Sequence, residues 1–208
     1  MRVVIFSWEY PPRIVGKLAQ YVNLLAGELV KNRVETHVVT YNDTFTGAVE
    51  EPNRVKVVRV ANPVHTHVNL ITWDLTLNQE VERAAANIYY QAAGDVEVID
   101  VFDWHFIPAA VTLKNALGIP FIYSVDSLED HRAPSADEPF NMAIRGIEWL
   151  GFFEAKKITV KSEWMRNEVV RLYKVPREKI AVILPEANSW VKDVRKVYEA
   201  TTGGLELA

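Results

Sequence analysis

Cysteine is absent from this chain of 208 residues, which excludes disulfides, thiolate metal sites and thiol redox chemistry. Positive charge is also in deficit, because 23 Lys and Arg stand against 27 Asp and Glu, giving a net charge of −4. Such a chain has no overall positive field to favour nucleic acids or anionic membranes, so we predict neither as a partner. The lack of cysteine is compatible with a reducing compartment, and we predict a cytoplasmic protein.

Long hydrophobic runs and internal repeats are missing as well. No stretch approaches the roughly 20 apolar residues that a membrane-spanning helix needs. The apolar run in the N-terminal MRVVIFSWEYPP is shorter than the core of a signal peptide and is typical of a first strand. The length favours one sizeable domain with one core.

Short β-branched runs recur along the chain and alternate with segments of helical period. This alternation predicts a single doubly wound, Rossmann-like α/β domain, with a mainly parallel sheet of about seven strands and helices on both faces. The predicted strands are 2–7, 34–40, 54–60, 96–102, 120–125, 157–162 and 179–185. The predicted helices are 16–31, 76–93, 105–117, 138–155 and 163–173.

The connections and the C-terminus carry further signals. Residues 41–53 are rich in turn formers and charges, which predicts a surface loop. Residues 126–139 predict a second long connection, either a binding loop or lid, or a plain surface excursion. An amphipathic pattern over 188–202 predicts a helix that crosses back and closes the domain formed by 1–187, and the glycines that open 203–208 predict a flexible tail.

Four stretches, in order, resemble one enzyme family. SWEYPPRIVGKLAQYVNLLAGELVKNRVETHVVT is similar to the opening of glycogen and starch synthase-like retaining glycosyltransferases, which have the two-Rossmann-domain GT-B fold. DVEVIDVFDWHFIPAAVTLKNALGIPFIYSVDS is similar to the family's His-Asp-Trp segment with its following helix and strand. RGIEWLGFFEAKKITVKSEWMRNEVVRLYKVPREKIAVI is similar to a later strand–helix block, and SWVKDVRKVYEA to the family's final helix. The resemblance implies the N-terminal, acceptor-side Rossmann domain of that family.

The loop before the first helix departs from the family. Two adjacent glycines usually stand there, and their backbone N–H groups approach the donor diphosphate at a helix N-terminus. This chain has Gly16 followed by Lys17, whose side chain stands where close backbone approach is expected. The pair is therefore interpreted as the remnant of a donor-phosphate loop, with Lys17 either solvated or contacting phosphate through its amine.

Two family histidines are also replaced. Phe102 stands immediately before the Asp-Trp pair, and its ring cannot form the hydrogen bond that the resemblance implies there. Asp126 stands where related transferases have a histidine at a strand end, and it is a candidate for contact with sugar hydroxyls or a solvated loop residue. His105 and Asp126 are the catalytic candidates, with packing in a helix or the core as the alternative for His105.

Aromatic and acidic residues at the predicted carboxyl ends of the strands form a candidate acceptor or sugar rim. It consists of Trp8, Glu9, Asp103 and Trp104, and Glu9 is expected either to bind acceptor hydroxyls or to form a salt bridge. His65 and His67 are two residues apart, but no third ligand lies nearby, so we predict no metal site. We predict no cofactor either.

The family's second Rossmann domain, which binds the nucleotide sugar, has no counterpart between KIAVILPEA and NSWVKDVRKVYEA. The resemblance therefore implies a glycogen synthase-like N-terminal domain that is not catalytic alone and has a residual sugar or acceptor binding role. The alternative is that the chain is one subunit of a split glycosyltransferase. A partner protein would then supply the donor domain, and the complex would transfer a sugar from a nucleotide-sugar donor to a carbohydrate acceptor. Self-association is a third option.

Overall fold

The computed structural model describes residues 1–44, 46–51, 53–133 and 138–203. Within them a single eight-stranded sheet carries helices on both faces. The strands are β1 Arg2–Ser7, β2 Glu35–Tyr41, β3 Gly47–Glu50, β4 Lys56–Val60, β5 Val98–Phe102, β6 Phe121–Val125, β7 Lys157–Val160 and β8 Ile180–Val182. The α-helices are α1 Lys17–Lys31, α2 Leu70–Gln91, α3 Ile107–Leu117, α4 Glu129–Arg132, α5 Pro139–Glu154, α6 Glu163–Tyr173 and α7 Trp190–Thr202.

The sheet order is β3-β4-β2-β1-β5-β6-β7-β8, and every neighbouring pair is parallel except β3 with β4. The predicted doubly wound, mainly parallel sheet is confirmed. The order reverses between β1 and β5, and open α/β sheets place their ligands outside the strand ends at such a point. The site is therefore expected where β1 and β5 end.

Two apolar cores lie on opposite faces of the sheet. One contains side chains of α2, α3, α5 and α6, and the other contains those of α1 and α7. Strands β5 and β6 are buried along their whole length, because both of their faces are covered. Among the described helices, none has an apolar stretch long enough to cross a bilayer.

The predicted loops contain more structure than the sequence indicated. Residues 41–53 include strand β3, which pairs antiparallel with β4 at the sheet edge. Its four residues leave Val49 54% exposed, so the segment shows no buried-strand pattern. The connection 126–139 includes the helical turn α4, while 134–137 lie outside the described residues.

Helix α2 begins six residues earlier than the predicted 76–93. Asn69 and Thr72 form a reciprocal capping box, in which the Asn69 side chain accepts from the Thr72 backbone N–H and the Thr72 hydroxyl pairs with the Asn69 backbone. Such a box satisfies N–H groups that a helix start leaves open, so the helix extends back to it. The extension brings Asp74 into the helix.

The C-terminal helix α7 packs on the same side of the sheet as α1. Tyr198 is fully buried, and its hydroxyl donates to Asp100 Oδ2 at 2.6 Å, while the Ser124 hydroxyl donates to Asp100 Oδ1 at 2.5 Å. Burial raises the pKa of Asp100 to about 6, although the two hydrogen bonds, which stabilise the ionised carboxylate, act to lower this pKa. The helix is thus tied to the middle of the sheet. Residues 204–208, part of the predicted tail, lie outside the described residues.

Candidate functional site

An open groove of about 430 Å³ lies at the carboxyl ends of β1, β5 and β6, beside the N-terminus of α1. We call it the rim groove. It is lined by Trp8, Glu9, Gly16, Lys17, Leu18, Leu70, Asp103, Trp104, His105, Asp126, Ser127, Glu129, Arg132, Phe140 and Ile144. All eight predicted site residues belong to this lining. A larger cavity of about 640 Å³ beside β4 and α2 contains none of them and lies away from the strand-order reversal.

Glu9 occupies the N-terminus of α1. Its Oε2 accepts hydrogen bonds from the backbone N–H groups of Val15 and Gly16, each at 2.6 Å, and the residue is 5% exposed. The Gly16 N–H belongs to the N-cap of α1 and the Val15 N–H to the residue before it, so both are donors of the loop that enters the helix. Neither expectation for Glu9, acceptor hydroxyls or a salt bridge, describes this contact. An internal carboxylate stands where the resemblance implies a donor phosphate.

Gly16 and Lys17 lie next to this contact. Gly16 is the N-cap of α1, and a Cβ added there would meet Glu9 Oε1 at 3.3 Å, which is closer than ordinary van der Waals contact. Lys17 is the first residue of α1 and is exposed at the groove. The lysine amine is therefore the cation of this loop that a ligand can reach.

His105 is held in one orientation. Its Nδ1 lies 3.0 Å and 3.1 Å from the two carboxylate oxygens of Asp74, a residue of α2 with a side chain only 2% exposed. Burial raises the pKa of Asp74, and the hydrogen bond with His105 opposes that rise. A carboxylate on Nδ1 favours the tautomer with the proton there, which leaves Nε2 as an acceptor. His105 is thus an oriented imidazole at the groove wall.

The two rim tryptophans form the walls around His105. The imidazole stacks on Trp8 at 4.6 Å and on Trp104 at 4.1 Å between ring centroids. The Arg13 guanidinium carbon lies 4.0 Å from the Trp8 centroid, so Arg13 and His105 take opposite faces of the indole, since they would collide on one. Trp104 is only 4% exposed. Both rings therefore position His105 and leave little face for stacking on a sugar.

Asp103 and Asp126 organise the loop after β6. Asp103 has a φ of 57°, and its Oδ1 accepts from the backbone N–H groups of Asp126 at 2.8 Å and Ser127 at 3.2 Å. The Asp126 carboxylate forms an ion pair with Lys161, whose amine also lies 4.0 Å from the Tyr21 ring centroid. Asp103 is thus a loop-holding residue, and Asp126 reaches the groove as half of an ion pair.

Arg132 forms the opposite wall together with a buried carboxylate. Its Nη2 donates to Glu148 Oε1 at 3.0 Å, and its Nε donates to Glu129 Oε2 at 3.0 Å. Glu148 is fully buried, and this burial raises its pKa to about 7. The hydrogen bond from Tyr173 and the positive charge of Arg132 both act to lower that pKa. The pair holds α4 against α5, so this wall of the groove is fixed.

Phe102 lies away from the groove. It is 3% exposed in the core under α1 and α7, where its ring meets Tyr21 edge-on at 5.9 Å. The side chain at this position of β5 points into that core, so a hydrogen-bonding residue here would not reach the rim groove. The position has become part of the packing around α7.

Several groups of this site were missed from the sequence. They are Arg13, Asp74, Ser127, Arg132, Glu148 and Lys161. Asp74 is separated from His105 by 31 residues and looks like an ordinary helical acid in the sequence. Lys161 carried one available signal, because it lies near the carboxyl end of the predicted strand 157–162, at the same rim as Asp126. The others come from tertiary contacts that no local pattern marks.

Comparison with known sequences gives concordant matches. Residues 18–185 match Glycosyltransferase Family 4. An uncharacterized glycosyltransferase of Methanocaldococcus jannaschii is 31% identical over 201 residues, which are 96% of this chain and 50% of that protein. A glycogen synthase of Mycobacterium tuberculosis is 22% identical, covering 88% of this chain and 47% of that protein. The chain spans about half the length of these curated relatives.

Solved structures share the fold at low identity. A sucrose-phosphate synthase of Thermosynechococcus elongatus superposes with a TM-score of 0.70 at 15% identity, covering 88% of this chain and 47% of that chain. The catalytic domain of starch synthase IV from Arabidopsis thaliana, bound to ADP and acarbose, gives a TM-score of 0.61 at 13% identity. That match covers 90% of this chain and 52% of the other. The architecture is thus that of one half of these proteins.

Proposed function

Since the chain belongs to glycosyltransferase family 4, we propose that it is a glycogen synthase-like acceptor-side domain that binds a carbohydrate in the rim groove and does not transfer sugar by itself. The observation that carries this proposal is the Glu9 carboxylate on the N–H groups of Val15 and Gly16. Because these donors already hold a negative charge, a diphosphate would have to displace it. We place this function in the cytoplasm.

The remaining chemistry of the groove suits a neutral, hydroxyl-rich ligand. Apart from the exposed Lys17, charged groups of its wall are paired, as in Asp126 with Lys161 and Arg132 with Glu148. Such pairs retain hydrogen-bonding capacity without a strong net field. Phe140 adds an apolar ring, 38% exposed, of the kind on which sugar rings pack.

Glucans are the carbohydrates with which we would first test binding to the rim groove. One relative is a glycogen synthase, and the starch synthase of similar fold holds acarbose. We therefore expect maltooligosaccharides to bind the isolated chain by calorimetric titration, and nucleotide sugars to bind weakly and to remain intact. Phe140→Ala should weaken oligosaccharide binding several-fold, which corresponds to a loss of about 1 kcal/mol of binding free energy. Trp164→Ala, an exposed aromatic outside the groove, should leave binding unchanged.

Two results would contradict the proposal. Turnover of a nucleotide-sugar donor by the isolated chain would show that the donor site is complete within it. Equal loss of oligosaccharide binding in the Phe140 and Trp164 variants would place the ligand outside the rim groove. Circular dichroism of both variants separates either result from unfolding.

A second candidate function is one half of a split transferase, in which a partner polypeptide supplies the donor domain. The exposed Lys17 at the groove favours it, because a lysine amine there can contact a phosphate brought by the other half. Affinity purification from native extract, followed by donor hydrolysis and transfer assays, tests this candidate. If no donor-domain protein co-purifies with the chain, and the reconstituted extract shows no glycosyl transfer, this candidate function is contradicted.

A further inference from the structure

Helix α5 is apolar on the side that faces solvent. Its inner face packs against α3 and α4, and includes the buried residues Ile144 and Phe152. The outward positions are Met142, Ala143, Gly146, Trp149 and Phe153, of which Met142, Trp149 and Phe153 are 57%, 53% and 66% exposed. A helix that covers one face of a domain normally carries polar residues on the other, so an apolar outer stripe indicates a further contact.

Gly146 lies in the middle of this outer stripe. A Cβ built there would meet nothing within 4 Å, whereas a Cβ at Gly151 of the same helix would lie 2.8 Å from Ile107. Packing inside the domain therefore explains Gly151 but not Gly146. Glycine within a helix is unfavourable relative to alanine, and a small residue on an outer face lets a second helix approach closely.

The ends of the stripe differ in character and in charge. Trp149 and Phe153 stack in parallel with ring centroids 5.3 Å apart, and they line a shallow cavity of about 320 Å³ with Lys174 and Lys179. The exposed Lys156 follows the C-terminus of α5, and the exposed Glu138 caps its N-terminus. The helix thus has a bulky, basic C-terminal end and a slimmer, acidic N-terminal end.

We propose that the outer stripe of α5 binds the same stripe of a second copy of this chain, as an antiparallel two-fold dimer crossing near Gly146. In that arrangement Trp149 of each copy meets Met142 and Ala143 of the other. Glu138 and the last helical residue Glu154 each lie eight residues from Gly146, about 12 Å at 1.5 Å per residue, and Lys156 follows just beyond the helix, so opposite charges come near each other at both ends. A two-fold contact must be self-complementary, which this stripe is in size and charge.

Analytical ultracentrifugation of the full chain tests the proposal. We expect wild type to sediment at twice the mass of the chain. Gly146→Gln and Trp149→Ala should raise the dimer dissociation constant by about tenfold or more. Gly146→Gln introduces a good helix former at a position open to solvent in the monomer, so the fold and the helical circular dichroism should persist. Trp164→Ala, an exposed tryptophan of α6, is the matched control and should remain dimeric.

Charge reversal gives an independent test. Glu138→Lys and Lys156→Glu should each weaken the dimer, and the double variant should restore it, because the two positions meet across the two-fold axis. A monomeric wild type, or a Gly146→Gln variant that dimerises as wild type does, would overturn the proposal. So would a monomer that sediments with phosphatidylserine vesicles through Trp149, because the stripe would then be a lipid-binding surface.

Discussion

Glu9 shows how one side chain changes what a helix N-terminus can bind. A helix start leaves several backbone N–H groups without partners, and anions are the natural ligands of that position. The Glu9 carboxylate accepts from the N-cap N–H of Gly16 and from the preceding N–H of Val15, each at 2.6 Å, in a loop that Arg13 also ties back to the Trp8 carbonyl oxygen at 2.8 Å. The contact ties the loop together, and in the function proposed above it also occupies the donors that an external anion would need.

Replacing Glu9 should separate these two effects. Glu9→Ala is expected to lower the free energy of unfolding by about 1 kcal/mol, as loss of a helix cap does, in urea titrations. The freed N–H groups should then accept inorganic pyrophosphate, observed as a shift of the Gly16 amide resonance that wild type lacks. Glu28→Ala, which removes an exposed ion pair with Lys31, serves as control. An equal shift in wild type would contradict the blocking role.

At the scale of elements, α7 adds one buried polar contact to its apolar packing against the sheet. Its outer residues are charged, but Tyr198 passes through the core to the Asp100 carboxylate in the middle of the sheet. A buried carboxylate is costly unless its hydrogen bonds are satisfied, and Tyr198 and Ser124 supply two of them. The helix and the sheet are therefore coupled through the charge state of Asp100.

Tyr198→Phe tests this coupling. At about pH 8, where Asp100 with its pKa of about 6 is ionised, loss of the hydroxyl should lower the free energy of unfolding by about 2 kcal/mol. Below the pKa the carboxyl is neutral and the loss should be smaller. Urea titrations at the two pH values measure the difference. Tyr90→Phe, at a tyrosine 68% exposed, should have little effect at either pH, and a pH-independent loss at Tyr198 would argue against the coupling.

At the scale of the whole molecule, acidic groups shifted in opposite directions set the pH dependence of stability. Arg2 and Lys56 lower the pKa of Glu35 to about 2, so its contribution is present above the unfolded pKa and is lost as the pH falls toward 2. Burial raises the pKa values of Asp100 and Glu148 to about 6 and about 7. Their contributions are complete at low pH and are lost as the pH rises through those values.

The free energy of unfolding should therefore be highest near pH 4, close to the unfolded pKa values of these carboxyl groups. Denaturant titrations across the pH range should show a decrease on both sides of this maximum. Glu148→Gln removes one of the two groups with a raised pKa, so the decrease between about pH 5 and pH 8 should become smaller. A variant whose alkaline side matches wild type would show that Glu148 does not contribute.

The sequence by itself determined most of the secondary elements, the mainly parallel sheet and the grouping of the site at one rim. These follow from local patterns, since apolar runs of strand length alternate with helical periods, and parallel strands bring their carboxyl ends to one edge. The eight predicted site residues could be placed together on that basis. Strand β3 and α4 were missed because each has only four residues, too few to show a periodic pattern.

Only the tertiary structure decided what each of these residues does. Glu9 became an internal anion because the turn returns Val15 and Gly16 to it, and His105 gained its orientation from Asp74 on another helix. Charge, tautomer and accessibility depend on distances of a few ångströms between groups far apart in the chain. Composition and local spacing do not contain those distances, so the sequence could identify the residues of the rim groove but not their roles.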